Sequence, residues 1–299
     1  MNAREEGFLL LASSLGDPDR HPLTVPQLRN LAKRVQSMMP PSEDRELQQS
    51  DLLALGYNRE MSERILRLLG QNDELSYYLQ KANRFGCIPI TRVSQGYPHA
   101  LRRLQLDAPG VLWAKGDLSI LSRPMVSLVG SRDIRPANER FAAEVGRQAA
   151  LQGYVLVSGN ARGSDRIAQD SCLSAGGYVV IVAADSLEGK RRNEHILYLC
   201  EDSFDLPFSP QRALSRNRVI HCLGSRVFVA QCVYKTGGTW SGTEKNLSCS
   251  WSPVFCYDDN SDACLSLAQM GATKINLDAL SDFSRLEFRQ DNFFAWDEI

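Results

Sequence analysis

The sequence predicts an α/β protein, a doubly wound and mostly parallel sheet preceded by a small all-helical domain. Three observations carry this. From Phe8 to Phe85 the apolar residues fall at helical spacing, as in Leu28, Leu31 and Val35 and again in Ile65, Leu66, Leu68 and Leu69. After Pro124 the pattern changes to short apolar runs without much polar alternation, the mark of strands buried on both faces. Between these runs lie amphipathic stretches long enough to be crossover helices.

In order, Pro40-Pro41 interrupts the first helical region. Ser50-Asp51 is placed to cap a short helix ending at Gly56, so Asp51 to Leu69 reads as helix, tight Leu-Gly-Tyr turn, helix. Such a hairpin can hold a DNA backbone through exposed amides, but without a Gly-x-Gly turn packing is the preferred reading. Gly86 to Thr91 and Tyr97-Pro98 form an extended entry into the second domain. The expected strands are Val126 to Val129, Tyr154 to Val157, Tyr178 to Ala184, Ile196 to Leu199, Val227 to Ala230 and Val254 to Tyr257. The expected helices are Asn138 to Leu151, Asp165 to Ala175, Gln211 to Cys222 and Glu244 to Cys249.

Composition narrows the functional classes. With 299 residues, 43% of them hydrophobic and 23% charged, the chain has ample length for a core. Its longest apolar runs are far too short to cross a bilayer. Glu5 and Glu6 precede the apolar Phe8 to Ala12, and no small-residue cleavage pattern follows, so a cytoplasmic protein is expected. Residues 1–90 hold 11 basic against 12 acidic side chains, residues 91–276 hold 21 against 17, and residues 277–299 hold 2 against 6. A polyanion would therefore need a concentrated basic site in the middle segment rather than a uniformly basic surface. The eight cysteines have no Cys-x-x-Cys spacing and mostly sit in apolar segments, which reads as small buried hydrophobes and neither a metal site nor a disulfide framework.

In parallel sheets ligands bind where loops leave the carboxyl ends of the strands. The first strand ends in Gly130-Ser131-Arg132, with Pro136 opening the next helix. Glycine allows close approach, a helix N-terminus favours an anion, and Arg132 can fork onto a phosphate. The second strand runs into Ser158-Gly159-Asn160-Ala161-Arg162-Gly163-Ser164-Asp165, a second candidate phosphate cradle. A Walker lysine loop and a Gly-x-Gly-x-x-Gly fingerprint are both missing, so neither ATP hydrolysis nor NAD chemistry is indicated and no cofactor is expected. Arg212, Arg216 and Arg218 fall along one expected helix, with Asn217 offering both donor and acceptor; phosphate binding and a solvated helix face are equal readings of that segment.

Tyr97-Pro98, Leu101, the Asp107-Ala108-Pro109 turn, Leu112, Lys115-Gly116, Gly130-Ser131-Arg132 and the Ser158 to Asp165 loop together resemble the DNA-processing DprA/Smf family. Arg216-Asn217-Arg218-Val219-Ile220, after Leu206-Pro207-Phe208, is similar to that family's Arg-Asn-Arg signature. The resemblance covers about residues 50 to 275 and rests on the order of several motifs. It implies a Rossmann-like domain of the SLOG group, single-stranded DNA binding, self-association as a homodimer, and transfer of the strand to a RecA-type recombinase in transformation or recombination, without catalysis. The expected organisation is a helical domain of helix-hairpin-helix or SAM-like type over 1–85, a Rossmann-like domain over 86–276 and an acidic, aromatic tail over 277–299.

The chain departs from that pattern in two places. Ala184 to Arg192 replaces a Gly-rich turn and Tyr-Pro pair, and its Lys190-Arg191-Arg192 triplet can meet a phosphate or stay solvated. Thr236-Gly237-Gly238-Thr239-Trp240-Ser241-Gly242-Thr243-Glu244 stands where the family has a serine-rich loop, and is similar to the Pro-Gly-Gly-x-Gly-Thr-x-x-Glu loop of LOG-type nucleotide phosphoribohydrolases. Two expectations follow. Either the loops hold a single strand, with Gly237, Gly238 and Thr239 on phosphate and Trp240 or Phe208 stacking a base, or the protein binds or cleaves a nucleotide, with Glu244 as the acid/base or oxocarbenium-stabilising carboxylate and Arg132 or Arg162 on phosphate. The tail, with Phe293, Phe294 and Trp296 among acidic residues, is too short for the winged-helix domain common in the family and reads as surface packing or as a docking or autoinhibitory element.

Overall fold

The computed structural model describes residues 1–38 and 46–287. Five helices come first: α1 (Ala3–Ala12), α2 (Val25–Met38), α3 (Gln49–Ala54), α4 (Arg59–Leu69) and α5 (Asn72–Arg84). Helix α1 starts at a capping box, in which the Asn2 side chain accepts the Glu5 amide at 2.9 Å and Glu5 reaches back to the Asn2 amide at 3.0 Å. The expected cap at Ser50-Asp51 is displaced. Helix α3 begins after Gln48, and Asp51 in its first turn accepts the Gln48 amide. The turn after α3 uses Gly56 at φ +81°, and the Asn58 side chain caps α4 on the Met61 amide.

A nine-stranded sheet follows among the described residues: β1 (Ile88–Thr91), β2 (Val111–Lys115), β3 (Met125–Val129), β4 (Val155–Ser158), β5 (Tyr178–Val182), β6 (Ile196–Glu201), β7 (Val227–Val229), β8 (Val254–Tyr257) and β9 (Thr273–Ile275). Their spatial order is β1-β2-β6-β5-β4-β3-β7-β8-β9. All neighbours pair in parallel except β1 with β2 and β2 with β6. All six expected strands form. The expected doubly wound, mostly parallel α/β fold is therefore present, extended by an antiparallel edge that the sequence reading did not assign. The crossovers are α6 (Pro136–Leu151), α7 (Ser164–Ser174), α8 (Pro210–Ser215), α9 (Asn217–Leu223), α10 (Gly237–Cys249) and α11 (Asp262–Gln269).

The reason for the uninterrupted apolar strands is visible in the two cores. Val155 and Val157 of β4 face one core with Leu197, Val219 and Val254, while Leu156 between them faces the other with Phe141, Phe228 and Phe255. Both faces are covered, so a polar residue at alternate positions would be stranded. Helices α6 and α7 approach closely because Gly146 has no side chain; a Cβ there would lie 2.0 Å from the Ala168 carbonyl oxygen. The first helices hold a core of their own, with Leu28, Leu31, Leu52, Ile65 and Leu68, and a second one shared with the sheet. In the latter Tyr78 and Trp113 meet edge to face at 5.3 Å and Phe204 closes the cluster.

Two expectations are corrected here. The stretch from Gln211 to Cys222 is two helices rather than one, broken at Arg216, which ends α8 and precedes α9. The helix expected from Glu244 begins at Gly237, because the two glycines supply a loop-to-helix turn (Gly237 φ +80°) and then continue into the helix. Beyond residue 276 the chain stays packed, with Leu280, Phe283 and Leu286 in the Phe228–Phe255 core. Phe293, Phe294 and Trp296 lie outside the described residues.

Candidate nucleic-acid interface

The chain runs outward from β3 to β6 on one side and from β7 to β9 on the other, so the order reverses between β3 and β7. The loops leaving these two strands flank the crevice where such sheets bind ligands. They are locked together. The Ser131 amide donates to the Gln231 carbonyl at 2.9 Å, the Thr239 hydroxyl donates to the Gly130 carbonyl at 3.0 Å, and the Gln231 side-chain oxygen accepts the Arg135 amide at 2.9 Å. Asn138 on α6 bridges the Ala230 carbonyl and the Asp259 carboxylate, and Asp259 also pairs with Arg135.

The loop after β4 packs onto the one after β3. Ser164 donates its amide and hydroxyl to the Ser131 carbonyl at 3.2 and 3.0 Å. Gly130 and Gly163 permit this approach: a Cβ on Gly130 would lie 2.2 Å from the Ser164 hydroxyl, and one on Gly163, at φ +80°, would lie 2.3 Å from the Arg132 carbonyl. The Asp165 carboxylate curls the loop by accepting the Gly159 and Ala161 amides, both at 3.1 Å. Ser158 accepts the Gln169 side-chain amide, and Asn160 holds a left-handed φ of +60°. Burial pushes the Asp165 carboxyl above its usual range, opposed by Arg216 and by those two amides. The amides of Ser131, Gly159 and Ala161 are thus taken within the protein, and the cationic groups these loops turn outward are arginine side chains.

Those arginines are well exposed. Arg132, Arg135, Arg162 and Arg166 line a groove of about 590 Å³ at the carboxyl ends of β3 and β4, together with Asp133, Glu139 and Asp170. Arg162 is paired with Asp133 at 2.6 Å and Arg135 with Asp259, whereas Arg132 and Arg166 have no ion-pair partner among the described residues. Arg135 and Arg166 were not singled out from sequence. Their signal was position alone: Arg135 ends the loop before Pro136, and Arg166 follows Asp165 in the first turn of α7.

The Arg-Asn-Arg segment is built differently. Arg216 is buried, donates to the Val182 carbonyl at 2.9 Å and presses on Gly159, where a Cβ would lie 1.6 Å from its guanidinium. Burial lowers its pKa, opposed by Asp165 and Asp185. Asn217 donates to the Gly238 carbonyl at 3.1 Å and so fixes the start of α10. Arg218 donates to the Asp107 carbonyl at 2.7 Å and grips both oxygens of the Glu201 carboxylate. Asn217 and Arg218 also line a cavity of about 690 Å³ facing Leu28 of α2 and Lys245 of α10. Lys190 of the basic triplet pairs with Asp185 at 2.5 Å, and Arg191 and Arg192 are exposed.

Aromatic groups are corrected in one place. Trp240 is 4% exposed and packs edge to face on Tyr234 at 5.1 Å, so its ring has no free face for a base. Phe208 is 55% exposed, and Tyr234, which the sequence reading passed over, is 43% exposed beside Lys235. Glu244 is exposed on the third turn of α10 and lines neither the arginine groove nor the larger cavity.

Fold and loops together define a doubly wound α/β protein whose arginine-bearing loops stand over the switch point of its sheet. The chain belongs to the DNA recombination-mediator protein A family, whose model matches residues 89–284. The DNA processing protein DprA of Streptococcus pneumoniae is 30% identical over 209 residues, covering 62% of this chain and 71% of that one. The crystal structure of DprA from Streptococcus pneumoniae has the same fold, with a TM-score of 0.74 over 97% of this chain and all of that one at 24% identity. A structure of DNA processing protein A from Helicobacter pylori, described for its single-stranded DNA binding mode, matches with a TM-score of 0.56 over 65% of this chain and 94% of that one, at 25% identity. The family resemblance carried by Tyr97, Pro109, Lys115-Gly116, Gly130 to Arg132 and Arg216 to Arg218 is borne out.

Proposed function

We propose that this protein binds single-stranded DNA across the carboxyl-end loops of β3, β4 and β7, and acts as a non-catalytic DNA-processing mediator. The observation that supports this most is the exposed, unpaired Arg132 beside Arg162 and Arg166 in the groove at the carboxyl ends of β3 and β4. Arg132 is the phosphate contact, Arg162 and Arg166 extend it, and the N-terminus of α10 at Gly237, Gly238 and Thr239 supplies a further favourable dipole. Phe208 is the stacking residue in this reading, because its ring is open to solvent. Arg216, Asn217, Asp165 and Gly159 shape the loops from beneath. Self-association as a homodimer, handing of the strand to a RecA-type recombinase in transformation, and a cytoplasmic setting complete the proposal on the family's pattern; no described helix is long and apolar enough to cross a membrane.

A fluorescent oligonucleotide titrated at several salt concentrations tests the reading. Binding should weaken linearly on a log–log plot, with a slope of about −0.7 per phosphate neutralised. Arg132→Ala should lower affinity about tenfold and flatten that slope by nearly one contact. Salt-independent binding, or full affinity in Arg132→Ala, would place the strand elsewhere. Nothing in the position of Glu244 favours nucleotide cleavage, and incubation with nucleoside monophosphates should release no free base that depends on Glu244.

A further inference from the structure

Away from the arginine groove, β8 and the first turn of α11 bring two thiols together. Cys256 lies on β8 and Cys264 on the first turn of α11, eight residues apart in sequence, and their sulfurs are 3.5 Å apart. Their surroundings differ. Cys264 stands in the first turn of α11, where Ser261 caps the helix by accepting the Cys264 amide at 3.2 Å. Cys256 faces the Cys264 and Thr273 carbonyls at 3.9 and 3.8 Å. The thiol–thiol contact holds Cys264 below the usual thiol range against the effect of burial, while Cys256 is pushed up by the same contact and by burial. Asp258 and Asp259 oppose the Cys264 shift, and Cys232, half-buried after β7, is the third thiol of the neighbourhood.

We propose that Cys256 and Cys264 form a dithiol modification site for a peroxide-class oxidant, closing to a disulfide that ties the first turn of α11 to β8. The Cys264 thiolate attacks one peroxide oxygen and the O–O bond breaks. The departing hydroxide takes up a proton as water, leaving a sulfenic acid on Cys264. The Cys256 sulfur then attacks the Cys264 sulfur, its thiol proton passing to the departing hydroxyl, so that two thiols and one peroxide become one disulfide and two waters. The sulfurs have to close from 3.5 Å to about 2.05 Å, a movement within reach of a two-turn helix lying on β8 and the edge strand β9. A small oxidant suits the site because the two side chains are only 2% and 4% exposed.

The test uses the full-length reduced protein. It is exposed to hydrogen peroxide, quenched, alkylated in denaturant and analysed as intact protein and peptides, with exposed Cys249 as an internal gauge of dose. At doses that oxidise Cys249, most chains should lose two hydrogen masses and yield a Cys256–Cys264 linked peptide that reductant reverses. In Cys256→Ser the sulfenic acid should persist on Cys264 and react with dimedone. Full alkylation of both cysteines after Cys249 has been oxidised would overturn the proposal, as would a disulfide that joins either of them to Cys232.

Discussion

Arg218 lays its guanidinium along the Glu201 carboxylate, with nitrogen–oxygen distances of 3.1 and 2.5 Å, on a residue that is almost wholly buried. Burial still leaves the Glu201 carboxyl raised, so the arginine offsets the desolvation without cancelling it. Arg218→Ala should cost about 3–5 kcal/mol in denaturant unfolding, because the carboxylate is then buried alone. A raised acid favours the folded state at low pH and is a cost once ionised, so that loss should be larger at pH 8 than at pH 5. His221 runs the other way. It is fully buried, takes the Asn246 side-chain amide on one ring nitrogen, and burial lowers its pKa to about 3. The unfolded chain therefore binds a proton that the folded chain refuses, and stability falls as pH drops from the unfolded value near 6.5 toward 3. Between pH 7 and pH 5 this term amounts to about 2 kcal/mol, which should vanish from the wild-type pH profile in His221→Gln.

At the scale of elements, the contact between α6 and α7 sets where the loops of the groove begin, since α6 follows Arg132 and α7 follows Gly163. Gly146 makes that contact possible, and its would-be neighbour is the Ala168 backbone carbonyl rather than a side chain that can swing away. Alanine is the better helix former by about 1 kcal/mol, yet Gly146→Ala should destabilise by about 2 kcal/mol or more, measured as a lower urea midpoint. If the midpoint rises instead, the close packing of α6 on α7 is wrong. The same logic explains part of what was legible in the sequence. The runs that became β3, β4, β5 and β8 stood out because both faces of a central strand are buried. Strand β9, three residues with an exposed Lys274, carried no such signal, whereas β2 carried it in Val111 to Ala114, an apolar run buried throughout that was read only as part of a motif.

For the whole molecule, the segment past β9 is a test of how the core closes. Leu280 and Phe283 are fully buried, and the Gln152 side chain at the end of α6 holds this segment by accepting the Phe283 amide at 2.7 Å and donating to the Leu280 carbonyl at 2.9 Å. A chain ended after Asn276 should lose at least about 4 kcal/mol relative to one ended after Glu287, since two large apolar side chains leave the core. Thermal unfolding of the two truncations compares them directly, and equal midpoints would show that these contacts contribute little. Family membership carries a similar lesson. Several of its signature residues are architectural: the Tyr97 hydroxyl donates to the Pro109 carbonyl at 2.7 Å, and buried Lys115 donates to the Leu187 and Glu188 carbonyls at 2.9 and 3.0 Å.

The sequence by itself determined the class of fold, the carboxyl-end position of the loops and the family, because strand burial, loop glycines and motif order are local or ordered along the chain. It could not say which charged groups remain available. Arg132 and Arg216 look alike as letters, but one is exposed in a loop while the other is closed over by Gly159 and tied to Val182. Trp240 and Phe208 divide in the same way between core and surface. Such outcomes depend on partners far away in the chain, and only the assembled sheet, with β7 set beside β3 and α9 folded beneath the loops, decides whether a side chain is used up inside the protein or left for a ligand.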